Sequence, residues 1–297
     1  MHHYSDITFL FVWILTLTAL FLTITAETEE CGVVNTDQFR NTEKYTRINE
    51  FPWMARVAFN ISNEAASFET PFLCQAVLIS QRHLLVTAKC INRKDEKYEP
   101  YAVLLGDWNT ANDYAERDCD FAINKCTTPL LIEIDEIITH PFYNTLRRDR
   151  DIAILRLDSA VTFSEFIRPI CLPGKSVANK EFGSEEFKST GWFRELGVKQ
   201  KMSIFAYNQL DCVRYFSAID NFNITDAHLC GIAGDVSLHY ASGAALMDIK
   251  DKRHPHELNN AYLAGLMVYR VRSFYKRDQM VFLRIDRFVD WIEQNMY

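Results

Sequence analysis

The stretch Cys74-Gln-Ala-Val-Leu-Ile-Ser-Gln-Arg-His-Leu-Leu-Val-Thr-Ala-Lys-Cys90 decides the fold of this chain. Two short apolar blocks, residues 77–79 and 84–86, are separated by the polar residues 80–83, which is the pattern of a β-hairpin. The cysteines at its two ends are placed so that they can meet across the turn. We therefore predict a hairpin with a disulfide at its base.

The first 26 residues are typical of an export segment. Residues 7–26 are almost uninterruptedly apolar, and Ala26 is followed by the acidic Glu27-Thr-Glu-Glu30. We expect residues 1–26 to be cleaved as a signal peptide. The length of the apolar run approaches the roughly 20 residues that span a bilayer, so a retained signal anchor is the alternative. In both cases the rest of the chain faces an oxidising compartment, and we predict a secreted, extracellular protein.

The composition favours a disulfide-bonded protein that binds no nucleic acid. Eight cysteines in an exported chain predict four disulfides. A net charge of −7 argues against a nucleic-acid partner, whose phosphates require a basic surface. The sequence contains no Cys-x-x-Cys or His-Glu-x-x-His spacing, and we predict neither a metal nor another cofactor. Asn60-Ile-Ser62 and Asn223-Ile-Thr225 are candidate glycosylation sites.

The corner Thr-Ala-Lys89-Cys at the end of the hairpin resembles the trypsin-like serine proteases, in which a histidine, the general base of a Ser-His-Asp triad, stands in place of Lys89. The family's other landmarks follow in order across about residues 31–297. One of them, Leu105-Gly-Asp-Trp-Asn-Thr110, is similar to the clip-type proteases of arthropods, although no cysteine-rich clip module precedes it here. The further landmarks are Asn49-Glu-Phe-Pro-Trp-Met-Ala-Arg-Val57, Asp151-Ile-Ala-Ile-Leu-Arg-Leu157 and Phe282-Leu-Arg-Ile-Asp-Arg-Phe-Val-Asp-Trp-Ile292.

The resemblance implies an all-β, chymotrypsin-like fold of two six-stranded antiparallel β-barrels with a C-terminal helix. Residues 51–297 are the expected peptidase-like domain, and residues 27–50 are an extended lead-in that replaces the activation segment. Apolar residues at helical spacing near the end of the chain support the terminal helix. The implied disulfides are Cys31–Cys171, Cys74–Cys90, Cys119–Cys126 and Cys212–Cys230.

The positions of the catalytic triad are degenerate. By resemblance, Asp151 retains the place of the family's aspartate and Ser242 that of its nucleophile, whereas Lys89 replaces the base. We expect Lys89 and Asp151 to form a partly buried ion pair, which would favour the charged lysine. His140 follows a predicted strand, and we interpret it as a structural residue.

Three further positions differ from residues that the family uses for zymogen activation and for stabilising the oxyanion of the reaction intermediate. Tyr240 stands in place of a glycine that supplies an oxyanion-hole amide, in a space that a side chain would strain or fill. Ala241 replaces the aspartate that receives the new N-terminal ammonium. Arg40 replaces the small apolar residue with which the activated chain begins, and burying an unpaired arginine there would cost about 3 to 5 kcal/mol.

The substrate cleft is altered as well. Val236 stands where a trypsin-like specificity aspartate would lie, and Tyr269 and Arg270 stand in place of a tryptophan and a glycine. Bulk and charge should therefore enter the peptide channel. A basic cluster of Arg270, Arg272, Lys276 and Arg277 is either a solvated loop or a surface that docks an acidic partner.

These changes predict a catalytically inactive serine protease homologue that acts by binding protein. It would serve as a regulator, adaptor or decoy in an extracellular protease cascade, for instance in immunity, melanisation or reproductive fluid. One alternative is a weakly active hydrolase that uses Ser242 with Lys89, and another is a membrane-anchored interaction protein.

Overall fold

A computed structural model describes most of the chain after residue 30. The described residues are 31–34, 41–61, 71–92, 97–145, 149–174, 183, 185–192, 197–216, 223–234, 242–249, 260–271 and 277–297. Within them, no helix combines the length and the apolar character that a membrane crossing requires. The apolar segment 7–26 lies outside the described residues.

The first half of the described chain forms a closed antiparallel barrel. It closes because β1 pairs with two neighbours, β2 on one side and β4 on the other. The strand order is β1-β2-β3-β8-β7-β4. The strands are β1 (Met54–Ile61), β2 (Phe72–Leu78), β3 (His83–Val86), β4 (Tyr98–Leu105), β7 (Leu130–Thr139) and β8 (Ala153–Leu157), and a separate hairpin pairs β5 (Asp118–Asp120) with β6 (Lys125–Thr127).

The hairpin predicted from residues 74–90 is confirmed. Its strands β2 and β3 pair with Val77 opposite Leu85 and Leu78 opposite Leu84. All four of these side chains are fully buried, and because consecutive strand residues point to opposite faces of a sheet, both faces of the hairpin are covered here. The hairpin therefore contributes both a wall of the barrel and part of its core.

The second half forms another closed barrel, with strand order β10-β11-β14-β13-β12-β9. The predicted fold class of two six-stranded antiparallel barrels is thus confirmed. Closure leaves no strand at an unpaired edge in either barrel. The strands are β9 (Glu186–Gly191), β10 (Gln200–Ala206), β11 (His228–Ala233), β12 (Ala245–Ile249), β13 (Ala261–Val271) and β14 (Gln279–Arg284).

Helices are short in the described part of the chain. Helix α1 (Ala88–Ile91) follows β3, and helix α2 (Gln209–Phe216) follows β10, where the sequence did not predict a helix. Near the C-terminus a 3-10 turn (Ile285–Arg287) leads into α3 (Val289–Gln294). The expected apolar stripe is buried there, which confirms the terminal helix: Ile285, Phe288, Val289 and Ile292 are all at most 6% exposed.

The structure contains the four disulfides that the resemblance implies: Cys31–Cys171, Cys74–Cys90, Cys119–Cys126 and Cys212–Cys230. The first of them fastens the start of the lead-in. Beside it, the Gly32 N–H donates to the Pro169 carbonyl at 2.7 Å, and the Ala261 N–H donates to the Gly32 carbonyl at 2.7 Å. Gly32 has φ +64°, and a side chain there would collide with the backbone of Ala261. The lead-in is therefore fixed to the second barrel from its first described residues.

A buried lysine lies where the lead-in meets both barrels. The main chain of Lys199 donates to the Trp108 carbonyl at 2.8 Å and accepts from the Thr46 N–H at 3.0 Å. Its Nζ donates to the Phe51 carbonyl at 3.2 Å and lies 5.5 Å from the centre of the Trp192 ring. Burial lowers the pKa of Lys199 to about 8, although nearby carboxylates oppose that shift, namely those of Glu50, Asp107 and Asp118.

A buried histidine opens β11. His228 is 1% exposed, and its Nδ1 accepts a hydrogen bond from the Thr225 N–H at 3.1 Å. Burial lowers the pKa of His228 to about 4, against opposing contributions from Asp149, the Thr225 backbone and Asp226. The folded protein therefore holds this imidazole neutral at neutral pH.

We predict that the free energy of unfolding falls as the pH drops from 6.5 to 4. In this window the unfolded chain binds a proton at His228 that the folded chain does not, and the full effect is about 3 kcal/mol at most. Urea denaturation at several pH values measures it. The variant His228→Gln should show a shallower decline over the same window, and equal slopes for both proteins would contradict the prediction.

Candidate functional site

Ser242 lies between the barrels and faces a second hydroxyl. Its Oγ is 3.0 Å from Oγ1 of Thr87, the residue that precedes α1. Thr87 is fully buried and Ser242 is half-buried. Either hydroxyl can act as donor, and neither is a base at neutral pH. The pair positions the serine side chain without activating it.

Asp151 is buried two residues before β8 begins and is held by the main chain of Lys89. The Lys89 backbone N–H donates to Asp151 Oδ1 at 2.6 Å, and Asp151 is 0% exposed. Lys89 itself is exposed. The contact that the structure shows between residues 89 and 151 is therefore made by the Lys89 amide, and the partly buried ion pair expected between the two side chains remains a prediction.

Gln75 links the two barrels beside Ser242. This residue of β2 is 2% exposed, and its side-chain amide makes a two-point contact with the main chain of Trp192 in the second barrel. Nε2 donates to the Trp192 carbonyl at 3.0 Å, and Oε1 accepts from the Trp192 N–H at 3.2 Å. The Gln75 backbone N–H also donates to the Ser242 carbonyl at 3.0 Å. This role could not be predicted from the sequence, because a glutamine inside an apolar strand is not a recognised motif.

Gly243 completes the turn that carries Ser242. It has φ +91°, which side-chain-bearing residues rarely adopt, and a Cβ there would collide with the Gln75 carbonyl. Its N–H donates to the Met267 carbonyl at 3.2 Å. The turn is therefore held on one side by β2 and on the other by β13, so Ser242 has a fixed position.

Tyr269 and Arg270, which were predicted to alter the cleft, lie near the end of β13, and both are half-buried. Arg270 Nη1 is 3.3 Å from Oδ2 of the buried Asp278. The Arg270 guanidinium therefore contacts a buried carboxylate, and the sequence did not predict this ion pair. Of the other residues in the predicted basic cluster, Arg277 is exposed, whereas Arg272 and Lys276 lie outside the described residues.

Several predicted site residues also lie outside the described residues: Arg40, Val236, Tyr240 and Ala241. Their assigned consequences remain predictions. Asn60 and Asn223 are both exposed, as an acceptor of a glycan must be. No cluster of three or more His, Cys, Asp or Glu side chains suited to a metal occurs in the described ranges.

His140 occupies a structural position. Its ring packs against the rings of Phe288 and Trp291, with centroids 5.6 and 4.9 Å away, and its Nδ1 accepts from the Phe142 N–H at 3.2 Å. Burial, and after it the charge of Arg150, lowers the pKa of His140. These contacts fasten the C-terminal helix to the first barrel.

Comparison with known proteins places this geometry in a family. A family model described as Trypsin matches residues 41–292. The CLIP domain-containing serine protease HP8 of Bombyx mori is 31% identical over 277 residues, which cover 88% of this chain and 70% of that protein. Phenoloxidase-activating factor 1 of Holotrichia diomphalia is 29% identical over 280 residues, which cover 90% and 72%. The crystal structure of the Drosophila Grass clip serine protease superposes with a TM-score of 0.72 at 20% identity, covering 94% of this chain and 77% of that one.

We predict that Gln75→Ala lowers the free energy of unfolding by about 2 to 4 kcal/mol, because it leaves the buried Trp192 N–H and carbonyl without these partners. Denaturant unfolding measures the change. Gln81→Ala, which truncates an exposed glutamine in the turn between β2 and β3, is the matched control and should change stability by less than about 0.5 kcal/mol. Equal changes in the two variants would show that the Gln75–Trp192 contact does not contribute to the free energy of unfolding.

Proposed function

We propose that this chain, which belongs to the trypsin family of serine proteases, has no protease activity and acts by binding another protein. The observation that carries this proposal is the residue at the place of the base. Lys89 stands there, exposed, while its backbone amide donates to the Asp151 carboxylate. The scaffold of the triad remains and its proton acceptor is missing.

The chemical argument follows from the roles in a Ser-His-Asp triad. The imidazole removes the serine proton and later returns it to the leaving group, and the aspartate only orients and stabilises it. Removing the base alone costs a factor on the order of 10⁶ in kcat. Ser242 is within 3.0 Å of another hydroxyl, Thr87 Oγ1, which cannot take its proton. Ser242 is therefore an ordinary alcohol in this site.

The alternative is a hydrolase that uses Ser242 with Lys89 as its catalytic pair. A lysine becomes a base near neutral pH when burial in an apolar pocket destabilises its charge. Lys89 is exposed, and the buried Asp151 carboxylate lies next to its backbone. Exposure supplies no desolvation, and a neighbouring negative charge favours the protonated form. Both features argue against Ser242 and Lys89 acting together as a catalytic pair.

The expected setting is an extracellular protease cascade. Four disulfides in a chain of this kind are typical of an oxidising, extracellular environment. Relatives include proteins named Melanization protease 1 and Spaetzle-processing enzyme, both from Drosophila melanogaster. We propose that this protein is secreted and regulates such a cascade as an adaptor or decoy, with a cascade component as its partner.

We predict that a fluorophosphonate probe does not label the wild-type protein, because an alcohol without a base does not attack phosphorus at a measurable rate. Labelling is read on a gel beside active trypsin, and Ser242→Ala sets the background. Labelling of the wild type that disappears in Ser242→Ala would show an active enzyme.

Cross-linking in the fluid where the protein is secreted should capture the same partners with Ser242→Ala as with wild type.

Lys89→His should remain at background on chromogenic peptides, although it restores the three triad residue types. The proposed reason is Tyr240, at the place of an oxyanion-hole glycine, since losing one such donor costs about 10² to 10³ in rate. The control is Lys89→His combined with Ser242→Ala. Turnover by the first variant that the second abolishes would mean that the oxyanion hole is intact and that inactivity rests on residue 89.

A further inference from the structure

Exposed apolar side chains are concentrated around helix α2. Eleven large hydrophobic residues of the described chain are exposed, and four of them fall between positions 205 and 215. Two of the four, Leu210 and Val213, are 84% and 41% exposed. Apolar side chains that are exposed close together mark either an interaction site or an aggregation liability. The surroundings of α2 indicate what covers these two.

Leu210 and Val213 share one flank of the helix with Gln209. Val213 lies one turn after Gln209, and Leu210 is three residues before Val213, so the three side chains are neighbours on the helix surface. The rotation of the helix is fixed, because Cys212 is buried and is joined to β11 by a disulfide. Tyr215 lies roughly 140° around the helix axis from Leu210 and therefore belongs to the opposite flank.

The side chain of Gln209 connects this flank to a glycosylation sequon. Its Nε2 donates to the carbonyl of Thr225 at 2.9 Å. Thr225 is the third residue of the sequon that begins at Asn223, and Asn223 is exposed. Two residues of chain span at most about 7 Å, so Asn223 lies close to the position that Gln209 contacts. A group attached to Asn223 therefore starts beside the flank that carries Leu210 and Val213.

We propose that Asn223 carries an N-linked glycan whose first sugars lie over Leu210 and Val213. One face of a pyranose ring consists of C–H bonds, and covering an aliphatic side chain with that face removes apolar surface from water. The hydroxyl groups of the glycan point outward and keep the modified surface soluble. The glycan thus shields this flank of α2, while Tyr215 on the opposite flank stays uncovered.

Attachment takes a lipid-linked oligosaccharide diphosphate as the sugar donor. The amide nitrogen of Asn223 forms a bond to the anomeric carbon of the first sugar, and the bond from that carbon to the lipid diphosphate breaks. The diphosphate leaves with the bonding electron pair, and the amide nitrogen loses one proton. Because Asn223 is exposed, the folded chain accommodates the sugar without burying its hydroxyl groups.

A protein partner is the other occupant that Leu210 and Val213 can have, and attachment favours the glycan. A tethered group needs only a weak contact with the neighbouring surface, because the tether removes most of the entropy loss of bringing it there. A separate protein must bury enough surface to offset that loss in full. The glycan is also present at every encounter, so it excludes other molecules from this flank.

The test is hydroxyl-radical footprinting of the protein secreted by eukaryotic cells, in which mass spectrometry measures both glycan occupancy and side-chain oxidation. The peptide that contains Asn223 should carry a glycan. Compared with wild type, Asn223→Gln should oxidise Leu210 and Val213 at least about twofold faster, because the bulky sugar no longer covers them. The oxidation rate of Tyr215 should be the same in both proteins.

Enzymatic removal of the glycan from the folded wild type repeats the comparison without a substitution, and it replaces Asn223→Gln if that variant folds poorly. The matched control is Asn60→Gln, which removes the sequon on β1 and should leave Leu210 oxidation unchanged. An unmodified Asn223 in the secreted protein would overturn the proposal and leave the flank to a protein partner. Equal Leu210 oxidation with and without the glycan, or an increase that Tyr215 shares, would overturn it as well.

Discussion

The arrangement of the site depends on one buried amide group between the barrels. Gln75 belongs to β2, yet both polar atoms of its side chain bond to the main chain of Trp192 in the second barrel. Its backbone N–H and carbonyl shape the Ser242–Gly243 turn. Hydrogen bonds in such a dry location are costly to lose, since the partners left behind have no water to replace them. The turn that carries Ser242 is therefore held against both barrels, whatever chemistry its side chain can perform.

A lysine is accommodated at position 89 because the backbone of this residue makes the contact to Asp151. The contact to Asp151 comes from the backbone amide, which every residue except proline supplies. A long cationic side chain can extend outward from there with little effect on packing. A lysine at this position therefore leaves the hydrogen bond to the buried Asp151 carboxylate in place.

Patterns that repeat with the period of a strand or helix were predictable from the sequence. Two short apolar blocks separated by the polar residues 80–83 predicted the first hairpin, and the helical spacing of apolar residues from Ile285 to Ile292 predicted the terminal helix. Helix α2 was not predicted, because only Cys212 and Phe216 mark its buried face while Leu210, Val213 and Tyr215 put apolar side chains on its exposed faces, so no single apolar stripe stands out. The ion pair joins Arg270 of β13 to Asp278, the residue before β14, and no short sequence pattern predicts such a pairing.

The disulfide between Cys31 and Cys171 spans 140 positions of the chain and ties the lead-in to the segment between the barrels. A break in the peptide backbone anywhere between Cys31 and the first strand would leave both pieces covalently joined. Mass and migration under non-reducing conditions would then conceal the cut, and only reduction would separate the fragments. The N-terminal piece would remain a permanent part of the molecule's surface after such a break, so cleavage of this segment would remodel the surface without shedding anything.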